Sequence, residues 1–253
     1  MPLLRLQGLK TRNLAPIDLQ IAPGALVFLS GPSGSGKSLL LRALADLDEH
    51  QGEMWLDGTP CAALPAPEWR RRVGLLPAEA FWWYDRVGDH FPARHDPQLL
   101  ERLGFGPEVL DWQVGRLSTG ERQRLALARL LAHQPQALLL DEATANLDPP
   151  NRDRVEALIQ DYRREWAAPV LWVSHDPEQR QRLAQPAPGL ASARRLVIRG
   201  DRLEEEEPAA GLGLGDPASP ITREHQSGPG QRHGILGHAQ HGRPQPERPN
   251  SWN

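Results

Sequence analysis

At 253 residues the chain is long enough for one large domain or two small ones, with ample material for a core. A net charge of −3 gives no general pull towards nucleic acid, and no stretch approaches the ~20 apolar residues that a transmembrane helix requires. The lone Cys61 cannot form an internal disulfide, and the opening MPLLRLQGLKTRN lacks the apolar run of a signal peptide, so a soluble cytoplasmic protein is expected.

Residues 3–6 and 17–21 read as two short strands around an Arg/Asn/Pro turn, with alternation clearest in Ile17-Asp18-Leu19-Gln20-Ile21. Pro23-Gly24 ends this hairpin, and the apolar run at residues 25–29 has the pattern of a buried strand. It feeds Gly31-Pro32-Ser33-Gly34-Ser35-Gly36-Lys37-Ser38, which fits G-x-x-x-x-G-K-[ST] at every fixed position, and residues 39–45 favour a helix. Strand, glycine loop and helix in that order make a phosphate site. The glycines let backbone N–H groups converge on the phosphates, and the helix N-terminus adds partial positive charge. Lys37, one of only two lysines in the chain, is placed to reach the β- and γ-phosphates, and the Ser38 hydroxyl to bind Mg²⁺.

A strand at residues 52–56 closes on the Asp57-Gly58 turn signal, and the run Arg70-Arg71-Arg72 reads as a solvated face before a core strand at 73–76. Four consecutive aromatics, Phe81-Trp82-Trp83-Tyr84, cannot all point inward from one element, so part of the run should lie on the surface; the residues alone leave a partner contact and plain core as alternatives. Residues 96–110 read as helix, turn and helix, with Leu99, Leu100 and Leu103 on one face. Ser118 is placed as an N-cap, and Glu121 three residues on completes a capping box for a helix through residues 125–131.

The apolar strand at 137–140 ends in Asp141 and Glu142. Side chains at the end of a parallel strand reach the crevice where ligands bind, and neighbours point to opposite sides. One carboxylate can therefore assist Mg²⁺ while the other acts on an attacking water; the alternative is an acidic pair that only aids solubility. After a turn at 145–149, residues 151–166 show a helical face of Val155, Leu158, Ile159, Tyr162 and Trp166. A core strand at 170–173 carries Ser174-His175-Asp176 at its end, which makes His175 a candidate for the same crevice. A last strand at 195–199 closes the domain near residue 207. Beyond it, eight glycines and seven prolines in 46 residues leave too few aliphatics for a core, so disorder is expected at 208–253. The spacing of His225, His233, His238 and His241 in that tail matches no metal motif.

Taken in order, these pieces resemble the ATP-binding cassette ATPases of ABC transporters over about residues 3–205. GPSGSGKS matches the family's Walker A loop, LSTGERQRLALARLL resembles the signature usually written LSGGQ, ALLLDEATANLDP matches Walker B and the D-loop, and VLWVSHD matches the switch-histidine strand. The resemblance implies an α/β P-loop NTPase fold with a mostly parallel core sheet. An N-terminal antiparallel β subdomain and a short helical subdomain at about 79–117 would complete a domain at 1–207. It implies ATP and Mg²⁺ as cofactors, with Glu142 polarising the attacking water, Asp141 and Ser38 serving the metal, and His175 contacting the γ-phosphate. Ser118 and Gly120 would act in trans on ATP bound to residues 31–38 of a second subunit. That arrangement implies a head-to-tail dimer, homomeric or built with a paralogue. It would drive a separate transmembrane permease, at the inner face of the cell membrane and without nucleic acid.

The chain looks most like the small cassettes of iron export or metal resistance. A soluble cassette ATPase of DNA repair or translation, or a nucleotide-binding regulator with impaired catalysis, are the alternatives. The sequence also departs from the family's pattern. Ala78, followed by Glu79, stands where a glutamine is usual, so either Glu79 substitutes or the coupling differs. No aromatic lies around residues 9–13 to stack on adenine, which leaves Arg12 to do so or base selectivity loose. Thr119 replaces the first signature glycine. The aromatic run at 81–84 falls where family members dock the permease's cytoplasmic helix.

Overall fold

The computed structural model describes residues 1–94, 96–185, 190 and 192–206; the tail expected from residue 208, with its four histidines, lies outside the described residues. Strands β1 (Leu4–Thr11) and β2 (Leu14–Ile21) pair antiparallel and are longer than the sequence pattern suggested. β3 (Leu26–Ser30) is buried along its whole length and leads through the glycine loop into α1 (Lys37–Leu44). β4 (Gln51–Leu56) pairs with β1 and turns into β5 (Thr59–Pro60) through Asp57 and Gly58, both at positive φ as a tight hairpin turn demands.

The arginine run forms the last turn of α2 (Ala66–Arg72), where cations suit the helix dipole. Arg70 and Arg71 are exposed, as a solvated face requires. β6 (Val73–Leu76) follows. The helix, turn and helix expected over 96–110 shrinks to α3 (Gln98–Arg102) and a 3-10 turn at Pro107–Asp111, because Gly104 at φ 82° ends the first helix and Pro107 restarts the chain. The remaining elements are α4 (Thr119–Ala132), β7 (Ala137–Asp141), α5 (Pro149–Trp166), β8 (Val170–Val173), α6 (Pro177–Ala184), β9 (Arg194–Arg199) and β10 (Arg202–Glu205).

Two sheets result. The smaller is antiparallel, in the order β2-β1-β4-β5. The larger runs β10-β9-β3-β8-β7-β6, parallel except for its β10 edge. Its central strands β3, β7 and β8 are buried at every position and apolar up to the polar residues, Ser30 and Asp141, that end β3 and β7, because both faces are covered. Leu26, Phe28, Leu138, Leu140 and Trp172 pack on one side with Leu125, Val155 and Ile159 of α4 and α5. Val27, Leu29, Leu139 and Leu171 pack on the other with α1 and the antiparallel sheet. The result is the α/β architecture with an N-terminal β subdomain that the motifs implied.

Candidate active site

Register assembles the site. Leu29 pairs with Val173 and Val173 with Asp141, so β3, β8 and β7 end at one level. Each strand then releases its functional residues at the same edge of the sheet: residues 31–38 after β3, Glu142 after Asp141, and His175 after Ser174.

The glycine loop has the shape of a phosphate cradle. Gly31 sits at φ 145°, and a Cβ there would come within 3.0 Å of the Ser35 hydroxyl and the Ile198 carbonyl. Gly34 at φ 77° and Gly36 at φ 98° turn the chain through backbone that other residues resist. Pro32, Ser33 and Gly34 are exposed at the mouth. The Ser35 hydroxyl is buried and has no hydrogen-bond partner among the described residues, an orphan that a phosphate oxygen would satisfy.

Lys37 is only 7% exposed, and its Nζ donates to the carbonyls of Gly31 at 2.9 Å and Pro32 at 2.8 Å, folded back across its own loop. Burial lowers the Lys37 pKa, while the charges of Glu142 and Asp141 act to restore it. Burial likewise pushes the Asp141 carboxyl up, opposed by a hydrogen bond from Ser38 and by the charges of Lys37 and His175. A hydroxyl and a carboxylate in contact offer hard oxygen ligands, the donor type Mg²⁺ takes together with substrate phosphates. Among the described residues no three His, Cys, Asp or Glu side chains converge on a metal site, so a Mg²⁺ held here would complete its shell with water and nucleotide oxygens.

Glu142 stands 3.4 Å from His175, measured from Oε1 to Nε2. It occupies the left-handed region at φ 49°, a conformation that costs a non-glycine residue about 1–3 kcal/mol and persists only where neighbours impose it. Its N–H donates to the Val173 carbonyl, and a cavity of about 300 Å³ opens beside it, lined by Glu142, Thr144, Leu147, Arg152, Ser174 and His175 among others.

Ser118 caps α4 as anticipated, with a reciprocal capping box. Its Oγ accepts from the Glu121 N–H at 3.3 Å, and its N–H and hydroxyl each donate to the Glu121 carboxylate at 2.8 Å. These bonds, the Ser118 N–H first, hold the Glu121 carboxyl below its usual range. Ser118 and Thr119 are exposed, and no hydrogen bond or ion pair among the described residues joins Ser118 to residues 31–38. Gly120 abuts the loop after Glu142, where a Cβ would meet Leu147 Cδ2 at 3.3 Å.

The aromatic run divides. Phe81, Trp83 and Tyr84 are 74%, 64% and 53% exposed, whereas Trp82 packs against the core. The sequence did not point to His90, which organises the run. Its Nε2 accepts from the backbone N–H groups of Trp83 at 3.0 Å and Tyr84 at 2.9 Å, and Nδ1 lies 3.0 Å from the Arg86 carbonyl. Beside the phosphate loop, Asn13 presses on Gly36, and a cleft of about 1270 Å³ runs between Lys10, Thr11 and Arg12 on one wall and Leu39 with residues 46–51 on the other. Arg12 is exposed and makes no hydrogen bond or ion pair with the described residues.

Residues 14–145 match the family model described as ABC transporter. The chain is 35% identical to "Protein STAR1" of Oryza sativa subsp. japonica, over 72% of this chain and 58% of that protein. To "Probable iron export ATP-binding protein FetA" of Escherichia coli it is 33% identical, over 70% of this chain and 87% of that one. To "Aliphatic sulfonates import ATP-binding protein SsuB 2" of Paracoccus denitrificans it is 37% identical, over 79% and 76%. A bacterial Atm1-family ABC exporter solved with ATP bound shares the fold at a TM-score of 0.66, with 23% identity, over 80% of this chain and 38% of that one. No helix of the described residues is long and apolar enough to cross a membrane. The chain belongs to the ATP-binding family of ABC transporters, whose members are ATPases coupled to transport.

Proposed function

We propose that the chain is the MgATP-hydrolysing subunit of a transporter, working as a head-to-tail dimer on a separate transmembrane permease at the inner face of the cell membrane. The observation that carries this reading is a site with one side missing. Glu142 and His175 stand together beside Lys37, while the capped N-terminus of α4, itself suited to an anion, is turned to solvent. A second copy facing the other way would bring that N-terminus to the open side of residues 31–38.

In this reading Lys37 turns from the Gly31 and Pro32 carbonyls to the β- and γ-phosphates, and the buried Ser35 hydroxyl donates to a phosphate oxygen. Ser38 and Asp141 hold Mg²⁺, which when bound neutralises charge on the phosphates. Glu142 accepts a hydrogen bond from the attacking water and orients it, and the His175 imidazole N–H holds the γ-phosphate. Arg12 would stack on the base at the mouth of the cleft. Because every base presents a π-face, such stacking tolerates guanine as well as adenine. Arg12→Ala is expected to weaken ATP and GTP alike, by about 3- to 10-fold for a cation–π contact of this kind. Unchanged titrations of both nucleotides would remove Arg12 from the base site.

The exposed rings of Phe81, Trp83 and Tyr84 supply the apolar anchors for the permease. The double substitution Trp83→Ala/Tyr84→Ala should reduce recovery of the chain with membranes by roughly tenfold or more, as loss of interface hot spots does, and leave ATP affinity unchanged. Equal loss of both properties would assign these rings to the fold. For the cargo we propose a metal ion, on the likeness to FetA alone; a deletion strain with its parent's iron tolerance would reject it. The whole reading is tested by purifying the chain from its native host. A polytopic membrane protein should accompany it, and nucleic acid in its place would overturn the assignment.

A further inference from the structure

Glu142 and His175 stand 3.4 Å apart with their side chains 37% and 51% exposed. Their separation depends on the two loops that carry them. Those loops are joined at their outer ends by one buried amide. Gln179, on the first turns of α6, is 0% exposed. Its Nε2 donates to Thr144 Oγ1 at 2.8 Å and to Glu156 Oε1 at 2.9 Å, and its Oε1 accepts from the Ser174 hydroxyl at 2.6 Å. The Ser174 oxygen in turn accepts the Asp176 N–H at 3.2 Å.

The orientation of the amide is determined, because an ionised carboxylate only accepts and so the nitrogen must face Glu156. Glu156, buried on α5, is itself gripped by Arg182 at 2.6 and 3.1 Å, which anchors the amide to a charged pair. Thr144 lies two residues beyond Glu142, and His175 lies between Ser174 and Asp176. The amide therefore ties the carboxylate's loop to the histidine's loop, with both N–H groups and its oxygen engaged.

We propose that Gln179 is a positioning residue for hydrolysis, setting the Glu142–His175 geometry through Thr144 and Ser174. This rests on the reading of Glu142 and His175 as the groups that act on water and γ-phosphate. A reacting geometry displaced by an ångström loses on the order of 10²-fold in rate, whereas most of the nucleotide's contacts, to residues 31–38 and to Arg12, lie away from these loops and are left in place.

Two variants test it. Gln179→Leu keeps most of the volume and removes all three bonds. Thr144→Val keeps the shape and removes only the acceptor on the Glu142 loop, which guards against a Gln179→Leu chain that fails to fold. Both should lower kcat, by about 10- to 100-fold and about 3- to 10-fold respectively, with ATP affinity within about twofold of the parent. The double variant should be no slower than Gln179→Leu alone, because the two act through one bond. A purely structural role would lower the melting temperature and leave kcat per folded molecule intact, and that result overturns the proposal. A second readout does not depend on turnover. In the parent background Glu142→Gln should shift the His175 imidazole resonance, and in the Gln179→Leu or Thr144→Val background that shift should shrink. An undiminished shift also overturns the proposal. A parent chain without turnover would instead count against the hydrolytic reading, with the resonance still deciding whether Gln179 couples the loops.

Discussion

Glu142→Gln should reduce ATP hydrolysis by about 10²- to 10⁴-fold, the range of a lost general base, while ATP binding survives. The substitution preserves size and the capacity to sit beside His175, so the loop has no steric reason to move. What it removes is a charged acceptor at the end of β7, 3.4 Å from the imidazole and facing the open cavity. Lys37, which now feels the charges of both Glu142 and Asp141, would lose one of them, and ATP should bind at least as well as to the parent. The variant should therefore accumulate as an ATP-bound dimer, visible by gel filtration with nucleotide and absent without it. Phosphate release at the parent rate would remove Glu142 from the reaction. A parent chain that binds ATP and never releases phosphate would favour the regulator with impaired catalysis.

How much of this site could be read in advance depends on how locally each part is determined. Residues 31–38 were legible because phosphate binding restricts residue types over one short loop, and the flanking strand and helix are local as well. The Ser118 cap was legible for the same reason, since both partners of its capping box lie within four residues. Asp141, Glu142 and His175 could be named as strand-end residues, but their meeting depends on the register of β3, β7 and β8, which no local pattern specifies. The Gln179 amide was invisible. Its partners Thr144 and Glu156 lie 35 and 23 residues away, and a glutamine on an amphipathic helix carries no signal of burial. Residues 81–84 were half legible. The run was too dense to be all core, but which ring turns in depends on a loop that His90, several residues on, holds by two backbone N–H groups, and no local pattern specifies that. The short α3 shows the opposite case, where leucine spacing suggested a longer helical segment and Gly104 with Pro107 overrode it.

The head-to-tail arrangement has its own expected result, which comes from mixing two inactive chains. Ser118→Asp keeps an oxygen acceptor for the Glu121 N–H, although it gives up the hydroxyl donated to the Glu121 carboxylate and sets a second carboxylate beside it, so the exposed end of the Glu121 side chain must swing out to solvent. It also places a negative charge where the γ-phosphate of a facing subunit would lie. At about 4 Å in a partly screened site such repulsion amounts to a few kcal/mol, or on the order of 10²- to 10³-fold in rate. Alone, Ser118→Asp and Glu142→Gln should each be nearly inactive. In a mixed dimer one site combines both defects and the other has neither, because its Glu142 comes from the Ser118→Asp chain and its Ser118 from the Glu142→Gln chain. Equal mixing makes half the dimers mixed, with one sound site of two, so about a quarter of the parent rate should return if the sites turn over independently. If Ser118 served the ATP of its own chain, every site in the mixture would contain one defect and no activity would return. Melting curves of the two single variants, each with its transition well above the assay temperature, would show that the recovered rate reflects shared sites.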